Sequence, residues 1–224
     1  MTAVTVYVNP LQFGPGEDLD AYPRDLDADV ELAMDAGADY VYAPTFEELF
    51  PAGPPVTTVT VGGGLTERFE GVSRPGHFAG VATIVAKLFA VAGRCRAYFG
   101  EKDYQQLLVV RRMTADLSLP VKVVASPTVR EPDGLALSSR NAYLSAKERK
   151  AATVLYRALQ AGASGGATAM ADVVAAEPLA HLDYAAAVDP QTLADVPVGP
   201  GARLLIAAWV GKTRLIDTLE VPQP

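Results

Sequence analysis

The feature that most constrains this chain is an alternation through its first 126 residues. Short β-branched or aromatic runs take turns with longer stretches of helical periodicity. Residues 3–8 (AVTVYV) form a near-continuous run of the kind expected of a parallel strand buried on both faces. Asn9-Pro10 stops it, and Gly14, Pro15 and Gly16 keep the next stretch a loop. A helical pattern opens at Pro23 and runs to about residue 36, where Gly37 closes it. Strands are expected at 39–43 (DYVYA) and 56–61 (VTTVTV), the second ended by three glycines. An apolar helix over 78–92, a strand at 96–99, a helix at 104–118 and a strand at 120–125 follow. This order predicts βαβ units, and so an α/β fold with a parallel sheet and helices on both faces. Such sheets bind ligands beyond the carboxyl ends of their strands, which directs attention to the residues just after 8, 99 and 125.

The pattern changes after residue 128. Ser145 with Glu148 three residues on is a capping box opening a helix over 146–160. The stretch 161–169 (AGASGGATA) has the composition of a flexible connector. A short helix is expected next, then a strand near 183–188 and a turn at 197–201. A hydrophobic run at 203–210 and a strand at 213–221 flank a Gly211-Lys212 turn. The second half therefore reads as a small α+β domain, giving the division 1–128 and 129–224.

Bulk properties exclude several classes of function. A net charge of −7 provides no global basic field to draw nucleic acid. The apolar run at 78–92 is interrupted by Lys87 and is too short to span a membrane, and residues 1–9 lack the features of a signal peptide. Cys95 is the only cysteine, so no internal disulfide forms and a cytoplasmic setting is expected. His77 and His181 with that one thiol are too few for a dedicated metal cage, and no metal ligands are identified.

Four polar clusters carry possible chemistry. Gly100-Glu101-Lys102-Asp103-Tyr104-Gln105-Gln106 lies between a strand and a helix, where a glycine admits a ligand to the backbone and the helix start attracts phosphate. Asp103 with Gln106 is also a helix-capping pair. Leu137-Ser138-Ser139-Arg140-Asn141, after Val129-Arg130-Glu131-Pro132, combines hydroxyls with a guanidinium suited to phosphate oxygens; alone it reads more readily as a solvated linker. Asn9-Pro10-Leu11-Gln12 places amides at a strand end, or is simply an Asn-Pro turn. Glu70 with Arg74-Pro75-Gly76-His77 precedes an apolar helix, and His77 is as readily a helix N-terminal residue.

Together the segments VNPLQFGPGEDLDAYPRD, RPGHFAGV, YFGEKDYQQL and VREPDGLALSSRNAYLS resemble the pantothenate synthetase family, in the right order and at about the right spacing. The resemblance runs from about residue 4 to near the C-terminus. It implies an ATP-dependent ligase that joins pantoate to β-alanine through a pantoyl adenylate, releasing pyrophosphate and AMP. It further implies Mg-ATP as the nucleotide, a Rossmann-like N-terminal domain, a smaller C-terminal lid and a homodimer. By motif match, Gln12 and Gln106 would hold pantoate, with Asn9, Glu70 and His77 as further pocket residues. Gly100, Glu101, Lys102, Asp103, Val129, Leu137, Ser138, Ser139 and Arg140 would line the ATP site, with Lys102 and Arg140 as the catalytic cations.

Two departures from the family stand out. Leu137 replaces the usual Met, a volume-conserving change. No segment matches the family's opening strand, its proline–threonine–methionine–glycine turn or its H-x-G-H histidines. The expectation is an incomplete Rossmann-like sheet missing its first strand–helix unit. The chain is then either a ligase whose start lies upstream or an inactive remnant keeping a pantoate-binding or dimerisation surface. A different adenylyl-transferring enzyme is the weaker alternative, because NPLQF and the two glutamines belong to pantoate recognition in the resembled family.

Overall fold

The computed structural model describes residues 1–223. In chain order it contains β1 (Ala3–Thr5), α1 (Leu26–Asp35), β2 (Tyr40–Tyr42), α2 (Phe46–Leu49), α3 (Glu70–Ser73) and α4 (His77–Ala92). Next come β3 (Cys95–Gly100), α5 (Tyr104–Asp116), β4 (Val121–Ser126), α6 (Ala146–Ala151) and α7 (Val154–Ala175). The last three strands are β5 (Ala180–Val188), β6 (Arg203–Val210) and β7 (Thr213–Glu220). The α/β class is as expected: β1 pairs β2 in parallel, β3 pairs β4 in parallel, and β5, β6 and β7 form an antiparallel sheet. No helix among the described residues is long and apolar enough to cross a membrane.

Several expectations fail for identifiable reasons. The parallel strands form two separate two-stranded ladders and not one sheet. The first ladder is short, with Ala3 and Thr5 exposed and Val4 half-buried, so β1 is not the doubly buried strand that AVTVYV suggests. Residues 56–61 form no strand. The Val59 amide donates to Thr83 Oγ1 of α4 at 2.9 Å, and Val59 and Val61 pack against the core without a ladder partner. Alternating valines and threonines suit a half-buried surface, but only a neighbouring strand makes them a sheet. The supposed connector 161–169 is helical and lies within α7. Its alanines favour helix, Gly162 lies tight against Met170 and Leu204, and the break is confined to Gly166 at φ 65°.

Three apolar clusters organise these elements. One packs α4 and α5 against the β3–β4 ladder, with Leu49, Val81, Ile84, Val109 and Met113 at its centre. A second packs α7 on the antiparallel sheet through Leu155, Leu159, Met170, Leu204 and Ile206. The third lies between them, where Tyr104, Leu107 and Leu108 of α5 meet Ala186, Val188, Leu193 and Leu205. The two halves of the chain thus share a dry seam directly beneath the end of β3.

Within the second half, a buried ion pair ties the segment after β4 to the antiparallel sheet. Arg130 donates to Asp217 of β7 in a bidentate fork, at 2.6 and 2.9 Å, and also to the carbonyls of Gly134 and Thr218. The Asp217 side chain is 2% exposed and that of Arg130 17%. Burial pushes the Asp217 carboxyl above its ordinary value despite the guanidinium beside it. Removing only the arginine leaves an uncompensated charge in a dry site. Arg130→Met is expected to cost about 3–5 kcal/mol of unfolding free energy, and the double variant R130M/D217L to recover much of it. Urea unfolding of the two variants checks this.

Candidate functional site

The site forms where the ends of β1 and β3 face β6 and β7. Asn9 follows β1, is buried, and caps the 3₁₀ turn Pro10–Gln12 by accepting from the Leu11 amide at 3.1 Å. Its Nδ2 donates to Gln12 Oε1 at 3.1 Å and to the Gly80 carbonyl at 3.2 Å. The turn and the first turn of α4 approach so closely that a Cβ on Gly80 would overlap the Leu11 carbonyl. Gln12 is held behind Arg74 and His77. His77 Nδ1 donates to the Gln12 carbonyl at 2.9 Å, and Arg74 Nη1 donates to His77 Nε2 at 3.2 Å. Both ring nitrogens are engaged in roles that only a neutral ring fills. Burial, then the Arg74 charge, hold the His77 pKa below its ordinary value.

The segment after β3 enters a 3₁₀ turn, Glu101–Asp103, that leads directly into α5. Gly100 closes the β3–β4 ladder opposite Ser126. Glu101 accepts from Arg203 of β6 at 3.5 Å, and Arg203 stacks over the Tyr104 ring at 4.1 Å. Lys102 Nζ stands 3.6 Å from Asp103 Oδ2. Asp103 precedes α5 but makes no side-chain cap, so the capping reading of the Asp103–Gln106 pair does not hold.

The adjacent glutamines separate cleanly. Gln105 is buried, donating to the Leu65 and Arg68 carbonyls at 2.8 and 2.9 Å and accepting from the Glu70 amide at 3.1 Å. Gln106 faces a small cavity with Lys102, Arg140 and His77, and its side chain makes no hydrogen bond to the described residues. Its donors and acceptor are all available to a ligand.

Glu70 lines the same cavity, yet both its oxygens are already engaged. Arg214 of β7 binds both, at 2.6 and 2.9 Å, and the Tyr184 hydroxyl donates to one at 2.9 Å. That geometry makes Glu70 a clamp between the halves. Burial, with Glu70 adjacent, pushes the Tyr184 hydroxyl far above its ordinary pKa, so it stays a donor.

Residues 129–141 complete the cleft. The Leu137 amide donates to the Val129 carbonyl at 2.9 Å, and both side chains are exposed. Ser138 caps the turn Ser139–Tyr143 through the Arg140 amide, and Ser139 donates to the Tyr22 hydroxyl at 2.8 Å. Arg140 forms a bidentate pair with Asp18 at 2.7 and 2.9 Å, and this bonding keeps Asp18 below its ordinary pKa. Arg74 and Arg140 also border a second cavity of about 240 Å³, which Lys212 and Arg214 line from the antiparallel sheet. With Glu17 and Asp18 as its carboxylates, that opening carries four cations against two anions.

Sequence reasoning did not single out Glu17, Asp18, Arg203 or Arg214. Their partners lie 57, 122, 102 and 144 positions away, beyond any local pattern. Arg74 lay within a quoted cluster without a role.

Comparison with known proteins identifies the family. The family model for pantoate-beta-alanine ligase matches residues 1–220. Pantothenate synthetase of Thermus thermophilus is 55% identical over an alignment covering 97% of this chain and 82% of the relative. That of Rubrobacter xylanophilus is 52% identical, covering 98% and 81%. A crystal structure of the Thermus protein superposes with a TM-score of 0.94 at 53% identity, over 99% of this chain and 83% of that one. A Francisella tularensis pantoate-beta-alanine ligase, solved in complex with beta-gamma ATP and beta-alanine, gives 0.81 at 28% identity, over 99% and 80%. The chain belongs to the pantoate–β-alanine ligase family, the pantothenate synthetases.

Proposed function

We propose that this ligase works through an acyl adenylate. A pantoate carboxylate oxygen attacks the α-phosphorus of ATP, the bond from that phosphorus to the bridging oxygen breaks, and pyrophosphate leaves. The amine of β-alanine then attacks the acyl carbon. A C–N bond forms, the acyl–oxygen bond breaks, AMP leaves, and the surplus ammonium proton passes to solvent. The observation that carries this reading is the convergence of Lys102, Arg140 and an unbonded Gln106 on one cavity. The Francisella relative, described with a nucleotide and β-alanine bound, supports the same substrates here.

The residues divide the work by chemistry. Lys102 and Arg140 offset charge on the departing pyrophosphate, where fixed cations act most strongly. Gly100, Glu101 and Asp103 shape the approach to the phosphates, and Ser138 and Ser139 hold the turn that carries Arg140. Val129 and Leu137 offer an apolar rim for the base. Gln12 and Gln106 orient pantoate, and Asn9, Glu70 and His77 shape that subsite from behind. The carboxylate nucleophile is already ionised, so the first step needs positioning more than proton transfer. His77, with both nitrogens engaged, serves structure and not base catalysis.

No group of three metal-binding side chains occurs among the described residues. Asp18, Glu70 and Asp217 are each paired to an arginine. Magnesium therefore fits this site as part of the Mg-ATP substrate, held by phosphate oxygens as that ion prefers. We further assign residues 1–128 to nucleotide and pantoate binding and 129–224 to a lid, in a cytoplasmic homodimer.

Two experiments test the assignment. Lys102→Ala is expected to slow pantoate-dependent ATP–pyrophosphate exchange by ~10²–10³-fold, roughly 3–4 kcal/mol, the scale of one lost electrostatic stabiliser. Exchange near the wild-type rate would refute its role. The neighbouring glutamines should respond oppositely. Gln106→Ala should raise the pantoate KM more than about tenfold with stability unchanged, since a bond to a charged group contributes about 1.5–3 kcal/mol. Gln105→Ala should instead lower stability by about 1–3 kcal/mol through the buried groups it strands. Steady-state kinetics and thermal unfolding of both variants separate the two outcomes.

A further inference from the structure

Gln12 is held at more points than its turn requires. From one side, Asn9 Nδ2 fixes its side-chain oxygen at 3.1 Å. From the other, its carbonyl accepts from His77 Nδ1 at 2.9 Å and from Arg74 Nη2 at 3.4 Å. Of its polar groups, the side-chain NH₂ remains without a protein partner. Arg74 is itself clamped. Its Nε and Nη2 bind Glu17 at 2.5–3.1 Å, its Nη1 orients the His77 ring, and its side chain is only 11% exposed.

We propose that Arg74 and Glu17 form a positioning pair that sets Gln12 for pantoate, acting through His77. The pair does not touch the reacting atoms. Glu17 fixes the guanidinium plane, the guanidinium selects the Nδ1–H tautomer of His77, and that N–H fixes the Gln12 carbonyl. The amide plane of Gln12 then leaves its NH₂ as a donor for a carboxylate or hydroxyl oxygen. The inference rests on the reading of Gln12 as a pantoate ligand.

An alternative role for Arg74 is direct: a cation for the pantoate carboxylate. The two roles make opposite predictions for Glu17. If Arg74 bound substrate directly, Glu17 would compete with it, and Glu17→Ala would lower the pantoate KM. As a positioning partner, Glu17 is needed, and its loss must raise that constant.

The test uses the purified protein with pantoate varied at saturating ATP and β-alanine. Glu17→Ala and Arg74→Lys are each expected to raise the pantoate KM about tenfold, the worth of a misplaced hydrogen bond to a charged group, with the ATP KM within about twofold of wild type. Lysine keeps the charge but cannot bridge Glu17, His77 and Gln12 at once, so it should not rescue. Imidazole ¹⁵N NMR gives a readout independent of turnover, and only His77 and His181 carry an imidazole. His77 faces Arg74, Glu17, Glu70 and the Gln12 carbonyl. Replacing Arg74 by methionine removes a charge that opposes protonation, so the His77 midpoint should move up while that of His181 stays. A lower pantoate KM in Glu17→Ala, or an unmoved His77 midpoint in Arg74→Met, overturns the proposal. Gln12→Ala separates the layers. If it leaves the pantoate KM unchanged, the pantoate role of Gln12 fails. If it raises that constant while the Glu17 and Arg74 variants do not, only the positioning pair fails.

Discussion

The buried carboxylate of Glu70 ties the first half of the chain to two strands of the second. Its oxygens accept from Arg214 of β7 and Tyr184 of β5, and its backbone amide donates to Gln105 of α5. Gln105 in turn holds the carbonyls of Leu65 and Arg68, and Arg68 reaches the Leu193 carbonyl across the seam. An ionised group in such a place is tolerable only because it is matched on every side, and loss of one partner would leave charge stranded in a low-dielectric site. The antiparallel sheet and the parallel ladders are therefore held in one relative position beside the cavity that Gln106 faces. Arg214 gains as well: its bonds to Glu70 and Asp183 outweigh the effect of burial and keep it charged at any ordinary pH.

The same economy governs the cations around the cleft. Arg74, Arg140 and Arg214 each face a carboxylate, and only Lys212 among the cations of the larger cavity has no ion pair with the described residues. Guanidinium is suited to this duty because its planar fork presents the same geometry to carboxylate and to phosphate. An anionic substrate therefore meets oriented donors and not floppy ones, which limits the ordering that binding must supply.

Much of the fold was legible, and the failures are instructive. Helices over 77–92 and 104–116, strands over 95–100 and 121–126, and the last two strands lie within a few residues of where periodicity places them, because each is long and has a partner adjacent in the chain. The Ser145–Glu148 capping box forms as read. The valine and threonine run at 56–61 misled because its pattern describes a surface and not a neighbour. The alanine and glycine run at 161–169 misled because helix propensity and contact with the sheet outweighed its glycines. At the site, sequence identified the clusters but could not tell Gln105 from Gln106. One places its amide among backbone carbonyls and the other in open space, and nothing local distinguishes them. The arginine–carboxylate pairs were invisible for a simpler reason, since each joins residues far apart in the chain.

Glu17 and Asp18 are consecutive residues, yet they serve arginines on different parts of the molecule: Arg74 beside α4, and Arg140 beside the antiparallel sheet. Such a segment behaves like a plug with two pins. It cannot lift from one socket without straining in the other, so the mouth that it borders opens as a unit. The pins are also set by count. Adding or deleting one residue between Phe13 and Glu17 would turn the pair relative to both sockets at once. Length in this loop is therefore under tighter physical control than composition, the reverse of what is usual for a surface loop rich in glycine and proline.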